Sequence, residues 1–160
     1  DPVTFRTSQH LAEAAAWRAG AISEFKSLWD HDVYGLVLLC AMPRGRRLLK
    51  SRWVFKSKRG TDSEVLRHKA HVVVKGFAQA PGVDFDVDQL SAPVAGIDNI
   101  RLVLALVCFS NWVLRQLEVD TAYLRALLKT GELHFMEQPE GFEMPGPSGE
   151  RLVWRLKRSL

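Results

Sequence analysis

Basic and aromatic side chains alternate along residues 51–58, which have the sequence SRWVFKSK. Trp53 and Phe55 fall on one side of an extended chain, and Arg52, Lys56 and Lys58 fall on the other. A period of two residues is typical of a half-buried β-strand. The sequence therefore predicts a strand with one aromatic face and one basic face.

A second strand is predicted at Val65–Lys75, after a turn cluster at residues 60–63. Together the two strands form a hairpin. Between Arg44 and Lys75 the chain has 11 of its 22 Lys and Arg residues against two acidic ones, a local net charge of +9. We expect this segment to seek a polyanionic partner or extensive hydration. The positions that continue the basic face on the second strand are Arg67, Lys69, His71, Val73 and Lys75.

Upstream of the hairpin, residues 8–30 predict an amphipathic helix with Ser8 as its N-cap. We interpret this helix as scaffold. Residues 33–40 predict a short apolar strand, and residues 42–45 predict a turn. The expected buried seam of the helix, at spacings of three and four, is Leu11, Ala15, Arg18, Ile22, Phe25 and Trp29.

Downstream, residues 76–93 predict a connecting loop in which Asp84, Asp86 and Asp88 alternate. Alternating acids suggest a Ca²⁺ or Mg²⁺ loop, but the Gly and distal Glu of an EF-hand are absent, which favours a solvated loop.

The remaining elements complete an α+β order rather than a doubly wound one. A helix at Ile97–Phe109 is apolar on all sides and is expected to be buried. After it we expect a strand at 112–119, a short helix at 121–128, a strand at 133–136 and an edge strand at 152–156.

The composition bounds the function. A chain of 160 residues with 47% hydrophobic residues fits one domain. It has no apolar run of 18 residues and no signal pattern, so we expect an intracellular protein without membrane insertion. Cys40 and Cys108 are expected to be small buried hydrophobes. Because the chain begins at Asp1 and its basic C-terminal run lacks a cap, we expect a fragment.

Six motifs in order resemble those of copia-type retrotransposon reverse transcriptases. Residues 51–58 are similar to the family pattern K-W-V-F-K-x-K, residues 67–79 to R-x-K-A-R-L-V-A-K-G-F-x-Q, and residues 93–94 to P-V. Further on, residues 100–106, 116–124 and 136–142 resemble I-R-x-L-L-A-L, Q-M-D-V-x-T-A-F-L and M-x-Q-P-x-G-F. The last nine residues resemble V-x-x-L-x-K-S-L, so the likeness covers nearly the whole chain.

The resemblance implies a partial right-hand polymerase fold with basic hairpin fingers and an incomplete palm, preceded by an amphipathic helix. The implied division is an N-terminal helical connection at 1–31, fingers at 32–96 and palm at 97–160. The parent activity is RNA-directed DNA polymerisation. It uses an RNA template, a DNA primer and deoxynucleotides, within a larger polyprotein, in a cytoplasmic particle or the nucleus.

The family's chemistry implies two Mg²⁺ ions, ~3.5 to 4 Å apart, held by carboxylates. The first carboxylate is Glu118 here, where the family has Asp, and the backbone carbonyl of Val119 is implied as a further ligand. The alternative is that Glu118 is a solvated acid at the end of a strand. The longer side chain reaches roughly 1 Å farther, a shift that can cost on the order of 10²-fold in rate. Asp120 lies too far along the strand to replace it. The family's Tyr-x-Asp-Asp motif is absent from the sequence, so we expect Mg²⁺ in the parent family and no polymerisation by this chain alone.

Other site residues follow from the same resemblance. Tyr123 stands where the family has a steric gate against a 2′-hydroxyl, although it could equally be an aromatic in the core. Lys58, Lys69 and Lys75 are implied to hold triphosphate or template phosphates, or they form a solvated face. His71 replaces a family Arg and weakens that contact. Besides the inactive fragment, two alternatives stay open: a non-catalytic basic nucleic-acid-binding module, and an unstable product with exposed apolar faces.

Overall fold

The computed structural model describes residues 1–78, 82, 94–128 and 132–160, with the side chain of Tyr123 left out. The predicted loop acids Asp84, Asp86 and Asp88 lie outside the described residues. Helices and sheets are mixed along the chain, which confirms the α+β class. The elements are α1 (Phe5–Ser8), α2 (Ala14–Asp30), β1 (Tyr34–Leu38), β2 (Leu48–Leu49), β3 (Ser51–Arg59), β4 (Val65–Val74), α3 (Ile97–Phe109), α4 (Ala122–Arg125), β5 (Phe135–Met136) and β6 (Leu152–Leu156), with 3-10 turns at Leu39–Ala41 and Gly76–Ala78.

Four strands form one mixed sheet in the order β1-β6-β5-β2. β6 pairs antiparallel with β1 and β5, and β2 pairs parallel with β5. The expectation that residues 152–156 form an edge strand is therefore wrong. Val153 and Trp154 are adjacent and both fully buried, which is the pattern of an interior strand covered on both faces. Strands from both sides of the expected 96/97 boundary pair in this sheet, and the division into fingers and palm stays a prediction.

The predicted hairpin is confirmed as an antiparallel pair, β3 and β4. Trp53 lies opposite Val72 and Phe55 lies opposite Ala70, and all four side chains are buried. The turn is closed by the amide of Gly60, which donates to the carbonyl of Glu64 at 2.9 Å. Alternation thus places the aromatic face inward and the basic face outward, as the sequence predicted.

Helix α2 is shorter than predicted and buries a different stripe. Trp17, Ala21 and Leu28 are buried, whereas the predicted seam residues are exposed except for the half-buried Phe25. The stripe is rotated because α2 packs on the hairpin, where the indole of Trp17 meets the ring of Phe55 of β3 edge-on at 5.5 Å and that of His68 of β4 at 4.2 Å. Predicted seam residues that are exposed are Leu11, Ala15, Arg18, Ile22 and Trp29.

The predicted N-cap Ser8 is also wrong. Ser8 is the last residue of α1, where it is buried and its hydroxyl donates to the carbonyl of Phe5 at 2.6 Å. Thr4 caps α1 instead, and Glu13 precedes α2 without a capping side-chain bond. Ser8 belongs to the additional short helix α1, so it does not cap α2 as the sequence pattern predicted.

The core joins the sheet, the hairpin and α2 through aromatic contacts. Tyr34 and Trp154 stack with ring centroids 3.7 Å apart, and Phe25 lies 5.8 Å from Trp154 and 4.9 Å from Phe142. The indole of Trp53 lies 5.4 Å from Phe142. Burial raises the pKa of the Tyr34 hydroxyl to about 12, because the phenolate would lose its hydration.

The predicted helix at Ile97–Phe109 has the expected bounds, but the expectation that it is buried is wrong. Val107 is half-buried and every other residue of α3 is exposed, including Leu102 at 60% and Phe109 at 91%. Cys40 and Cys108 are also exposed, which corrects their predicted burial. Hydropathy alone does not create a partner surface.

The predicted strand at residues 112–119 is absent. This segment is exposed throughout and pairs with no strand of the described part of the chain. A strand requires lateral hydrogen bonds, and apolar alternation without a neighbour does not supply them.

None of the described helices is long and apolar enough to cross a membrane.

Candidate functional site

The basic face of the hairpin, which we define as Lys56, Lys58, Arg67 and Lys69, is one half of the candidate site. Lys56 lies opposite Lys69, and Lys58 lies opposite Arg67. Within the described residues none of these four cations has an acidic partner. Like charges directly opposite each other are unfavourable in a sheet. An anion bound along this face would remove that repulsion.

His71 lies on the same face, but its side chain contacts an acidic residue of α2. Its Nδ1 lies 3.2 Å from Oε1 of Glu24, whose side chain is 16% exposed. Glu24 belongs to α2, so this contact joins the helix to β4. The sequence interpretation of His71 as a weakened phosphate contact did not foresee this carboxylate.

The segment that carries Glu118 and Val119 is the second half, and it is exposed rather than the end of a strand. Val119 is 64% exposed, and Asp120 is exposed as well. Within the described part of the chain no group of three His, Cys, Asp or Glu side chains could hold a metal ion. The described residues therefore do not fit the pair of magnesium ions that the resemblance implied.

A cavity of about 400 Å³ is lined both by Lys69 of the basic face and by Thr121, two residues after Val119, but not by Glu118 or Val119 themselves. His71 of β4, Leu124 of α4 and Glu24 of α2 also line it. Of the predicted site residues, the structure thus brings Lys69 to the turn that carries Tyr123. The predicted role of the Tyr123 side chain lies outside the described residues.

Lys58 and Lys75 do not border this cavity. Lys58 pairs with Arg67 next to a bulge in the hairpin, which lies between Lys58 and Arg59. Lys75 comes just after β4, and its amide donates to the carbonyl of Lys50 at 2.8 Å. The three lysines that the sequence grouped by their chemistry are therefore spread along the hairpin.

Thr121 is held by a residue that lies far from it in the sequence. Its Oγ1 lies 3.1 Å from Nε2 of His31 and donates to the carbonyl of Asp120 at 2.8 Å. The backbone of Thr121 has φ of +53°, which a β-branched residue rarely adopts. Sequence reasoning missed His31, Thr121 and Glu24, and no local pattern could have found contacts that span 90 and 47 residues.

Comparison with known proteins places the chain in a family. The family model described as "Reverse transcriptase (RNA-dependent DNA polymerase)" matches residues 31–160. The chain is 42% identical over 137 residues to the Retrovirus-related Pol polyprotein from transposon TNT 1-94 of Nicotiana tabacum, covering 86% of this chain and 10% of that protein. No solved structure gives a significant match.

Two further relatives come from Arabidopsis thaliana. The Retrovirus-related Pol polyproteins from transposons RE2 and RE1 are 33% and 32% identical over 137 residues, again 86% of this chain and 9% of each relative. The chain therefore spans about a tenth of the length of these relatives. The chain belongs to the reverse transcriptase (RNA-dependent DNA polymerase) family, in its copia-type branch, as its motifs predicted.

Proposed function

We propose that this chain contributes the fingers and the first part of the palm of a right-hand polymerase to RNA-directed DNA synthesis. Its partners are an RNA template, a DNA primer and deoxynucleotides, in a cytoplasmic particle or the nucleus. The observation that carries the proposal is the cavity that is lined both by Lys69 of the hairpin and by Thr121 and Leu124, the residues on either side of the Ala122 and Tyr123 positions. Family membership supports it.

In this proposal the cations have separate tasks. Lys69, beside the cavity, holds the triphosphate of the nucleotide, and Lys58 and Lys75, farther along the hairpin, hold template phosphates by charge. Tyr123 excludes a 2′-hydroxyl by its bulk. Glu118, with the Val119 carbonyl, stands at the first carboxylate position of the family, with no second or third carboxylate grouped around it in the described residues.

The chain alone does not polymerise DNA in this proposal. Phosphoryl transfer in the family depends on several carboxylates around its metal ions, and the sequence has one altered member and no Tyr-x-Asp-Asp motif. A primer-extension assay with Mg²⁺, a primed RNA template and deoxynucleotides is expected to show no incorporation. Glu118→Asp is expected to stay inactive, because the other carboxylates are still missing. Clear incorporation by either protein would overturn this part of the proposal.

A second candidate function is a non-catalytic nucleic-acid-binding module, favoured by the cross-strand rows of cations without acidic partners. Binding of a fluorescent single-stranded RNA should weaken steeply with rising salt, because Lys and Arg side chains that contact phosphates displace counterions from the RNA. The double variant Lys56→Gln and Lys69→Gln is expected to lower the salt slope by roughly one to two.

The matched control for this experiment is Lys26→Gln, which removes an exposed lysine of α2 instead. It should leave both affinity and salt slope close to the parent values. Binding that is indifferent to salt, or an equal loss in the control, would rule out the hairpin as the binding surface.

A further inference from the structure

We propose that His31 is a positioning residue for the turn that carries Tyr123. In this arrangement the single hydroxyl proton of Thr121 links the protonation state of the His31 ring to the shape of the turn. His31 lies 90 residues from Thr121 along the chain and just after α2. The positioning itself stands on hydrogen-bond geometry, and only its effect on nucleotide binding rests on the proposed function.

The imidazole of His31 is presented by a well-defined helix end. The amide of Val33 donates to the carbonyl of Leu28 at 3.0 Å, and the amide of Asp32 donates to that of Trp29 at 2.9 Å. Asp32 has φ of +51°. This is a Schellman motif with His31 at the C-cap, and the buried side chains of Leu28 and Val33 complete it.

The partner of Nδ1 determines which ring nitrogen carries the first proton. Nδ1 of His31 lies 2.8 Å from the carbonyl oxygen of Ser27. A carbonyl oxygen only accepts, so Nδ1 must donate. In the neutral ring Nε2 is therefore an acceptor, and in the protonated ring it is a donor.

Thr121 has one hydroxyl proton for two neighbours. Its Oγ1 lies 2.8 Å from the carbonyl of Asp120, which only accepts, and 3.1 Å from Nε2 of His31. With a neutral ring the proton serves either Nε2 or the carbonyl, and the other contact is left without a hydrogen. With a protonated ring Nε2 donates to Oγ1 while the hydroxyl donates to Asp120, so both bonds form together.

The backbone of Thr121 gives this contact a conformational consequence. Among the described non-glycine residues with positive φ, Thr121 is the β-branched one, and the others are Asp32, Ser63 and Asn111. Such strained conformations persist when surrounding contacts hold them. The carbonyl of Thr121 also accepts from the amide of Leu124 at 2.9 Å and so starts α4. Loss of the His31 contact is expected to loosen residues 120–123 at the wall of the cavity.

Charged groups on every side set the environment of the ring. Asp30 and Asp32 flank His31 in the chain, and Asp32 accepts a hydrogen bond from Lys157. Asp120 precedes Thr121 across the contact. On the cavity side of Thr121 are Glu24, Lys69 and His71.

The test is a pH titration of the isotopically labelled chain by nuclear magnetic resonance between about pH 5 and 8, where histidine side chains change charge. The neutral His31 ring should carry its proton on Nδ1. The backbone amide signals of Thr121 and Tyr123 should shift with the same midpoint as the ring. Thr121→Val should uncouple those signals while the ring still titrates. Amide signals that ignore the ring in the parent chain would overturn the proposal.

Hydrogen exchange provides the second readout. His31→Phe removes the ring nitrogens and should speed exchange of the Leu124 amide, which donates to the carbonyl of Thr121, roughly fivefold or more. His31→Gln keeps a group that donates and accepts at a similar reach, and it should restore near-parent exchange. The control His10→Gln changes an exposed histidine in the N-terminal segment and should have no effect.

Equal exchange in the Phe and Gln variants would overturn the positioning role, and Thr121→Val keeps the question answerable if His31→Phe does not fold. None of these measurements needs nucleotide. A chain that binds no nucleotide but passes them retains the positioning role and loses only the proposed function.

Discussion

Helix α3 is more apolar than helix α2, and yet it is less buried. The 13-residue α3 is almost entirely apolar and has no buried residue, whereas the 17-residue α2 mixes charged and apolar side chains and buries three. Both end in the same way, with a residue of positive φ, Asp32 or Asn111, after the C-cap. Local sequence thus formed both helices, and a packing partner made only one of them part of the core.

The difference lies in the surfaces that the chain offers to each helix. Strand β4 presents Ala70 and Val72 toward α2, and Gly20 lets the helix approach until a Cβ at this position would lie 2.7 Å from the carbonyl of His68. Helix α3 borders an apolar groove that it shares with Ala95 before it and Leu114 after it, and Val103 of the helix lines this groove. Hydrophobic burial requires a second surface, and α3 has none among the described residues.

The largest expected effect comes from matched leucine truncations in the two helices. Leu28→Ala removes a fully buried side chain of α2 and should lower the free energy of unfolding by about 2–5 kcal/mol. Leu102→Ala removes a side chain of α3 that is 60% exposed and should change it by no more than about 0.5 kcal/mol. Urea denaturation measures both. Equal losses would break the comparison.

A smaller effect is expected from Gly20→Ala. In an exposed helix this change stabilises by up to about 1 kcal/mol, but here the new methyl group meets the His68 carbonyl. We expect a loss of roughly 1–3 kcal/mol from the forced separation of α2 and β4. The counterpart Ala105→Gly in the exposed α3 should cost about 1 kcal/mol through helix propensity alone. A stabilising Gly20→Ala, in the same urea assay, would contradict the close approach.

Alkaline pH should lower the free energy of unfolding through Tyr34, a buried residue of the core. Burial raises its folded-state pKa to about 12 from an ordinary value near 10, so its contribution is complete below pH 10. Between about pH 10 and 12 the unfolded chain has lost the proton and the folded chain has kept it. Stability should therefore fall by at most about 1.4 kcal/mol per pH unit.

Tyr34→Phe tests this slope by removing the titrating group, whose hydroxyl is buried without a partner among the described atoms. The variant should unfold with a shallower dependence on alkaline pH and near-parent stability at neutral pH, measured by denaturation at several pH values. An unchanged slope would show that another group titrates.

The smallest expected effect concerns the hairpin. Lys56→Gln removes one member of the opposed Lys56 and Lys69 pair and should stabilise the chain by a few tenths of a kcal/mol at low salt. The gain should vanish at about 1 M salt, where charges are screened within roughly 3 Å. Urea denaturation at two salt concentrations measures it. A gain that persists at high salt would point to packing rather than charge.

Sequence reasoning found what depends on neighbouring residues and missed what depends on distant ones. The hairpin and its turn followed from alternation and turn residues, and the bounds of α3 followed from an apolar run with Asp98 in its first turn. The buried stripe of α2 and the place of β6 did not, because both depend on which surfaces meet. For the candidate site, the sequence supplied Lys69 and its basic face. Its meeting with Thr121, and the contacts of Glu24 and His31, needed the fold.

The family, the α+β class and the segregation of charge along the hairpin could all be predicted from the amino-acid sequence. The family follows from short motifs, and the charge segregation follows because a period of two residues sorts side chains to opposite faces of a strand whatever lies nearby. The exposure of the most apolar helix and the contact of His31 with Thr121 depend on the fold. Burial and long-range hydrogen bonds depend on positions in space that no short stretch of sequence specifies.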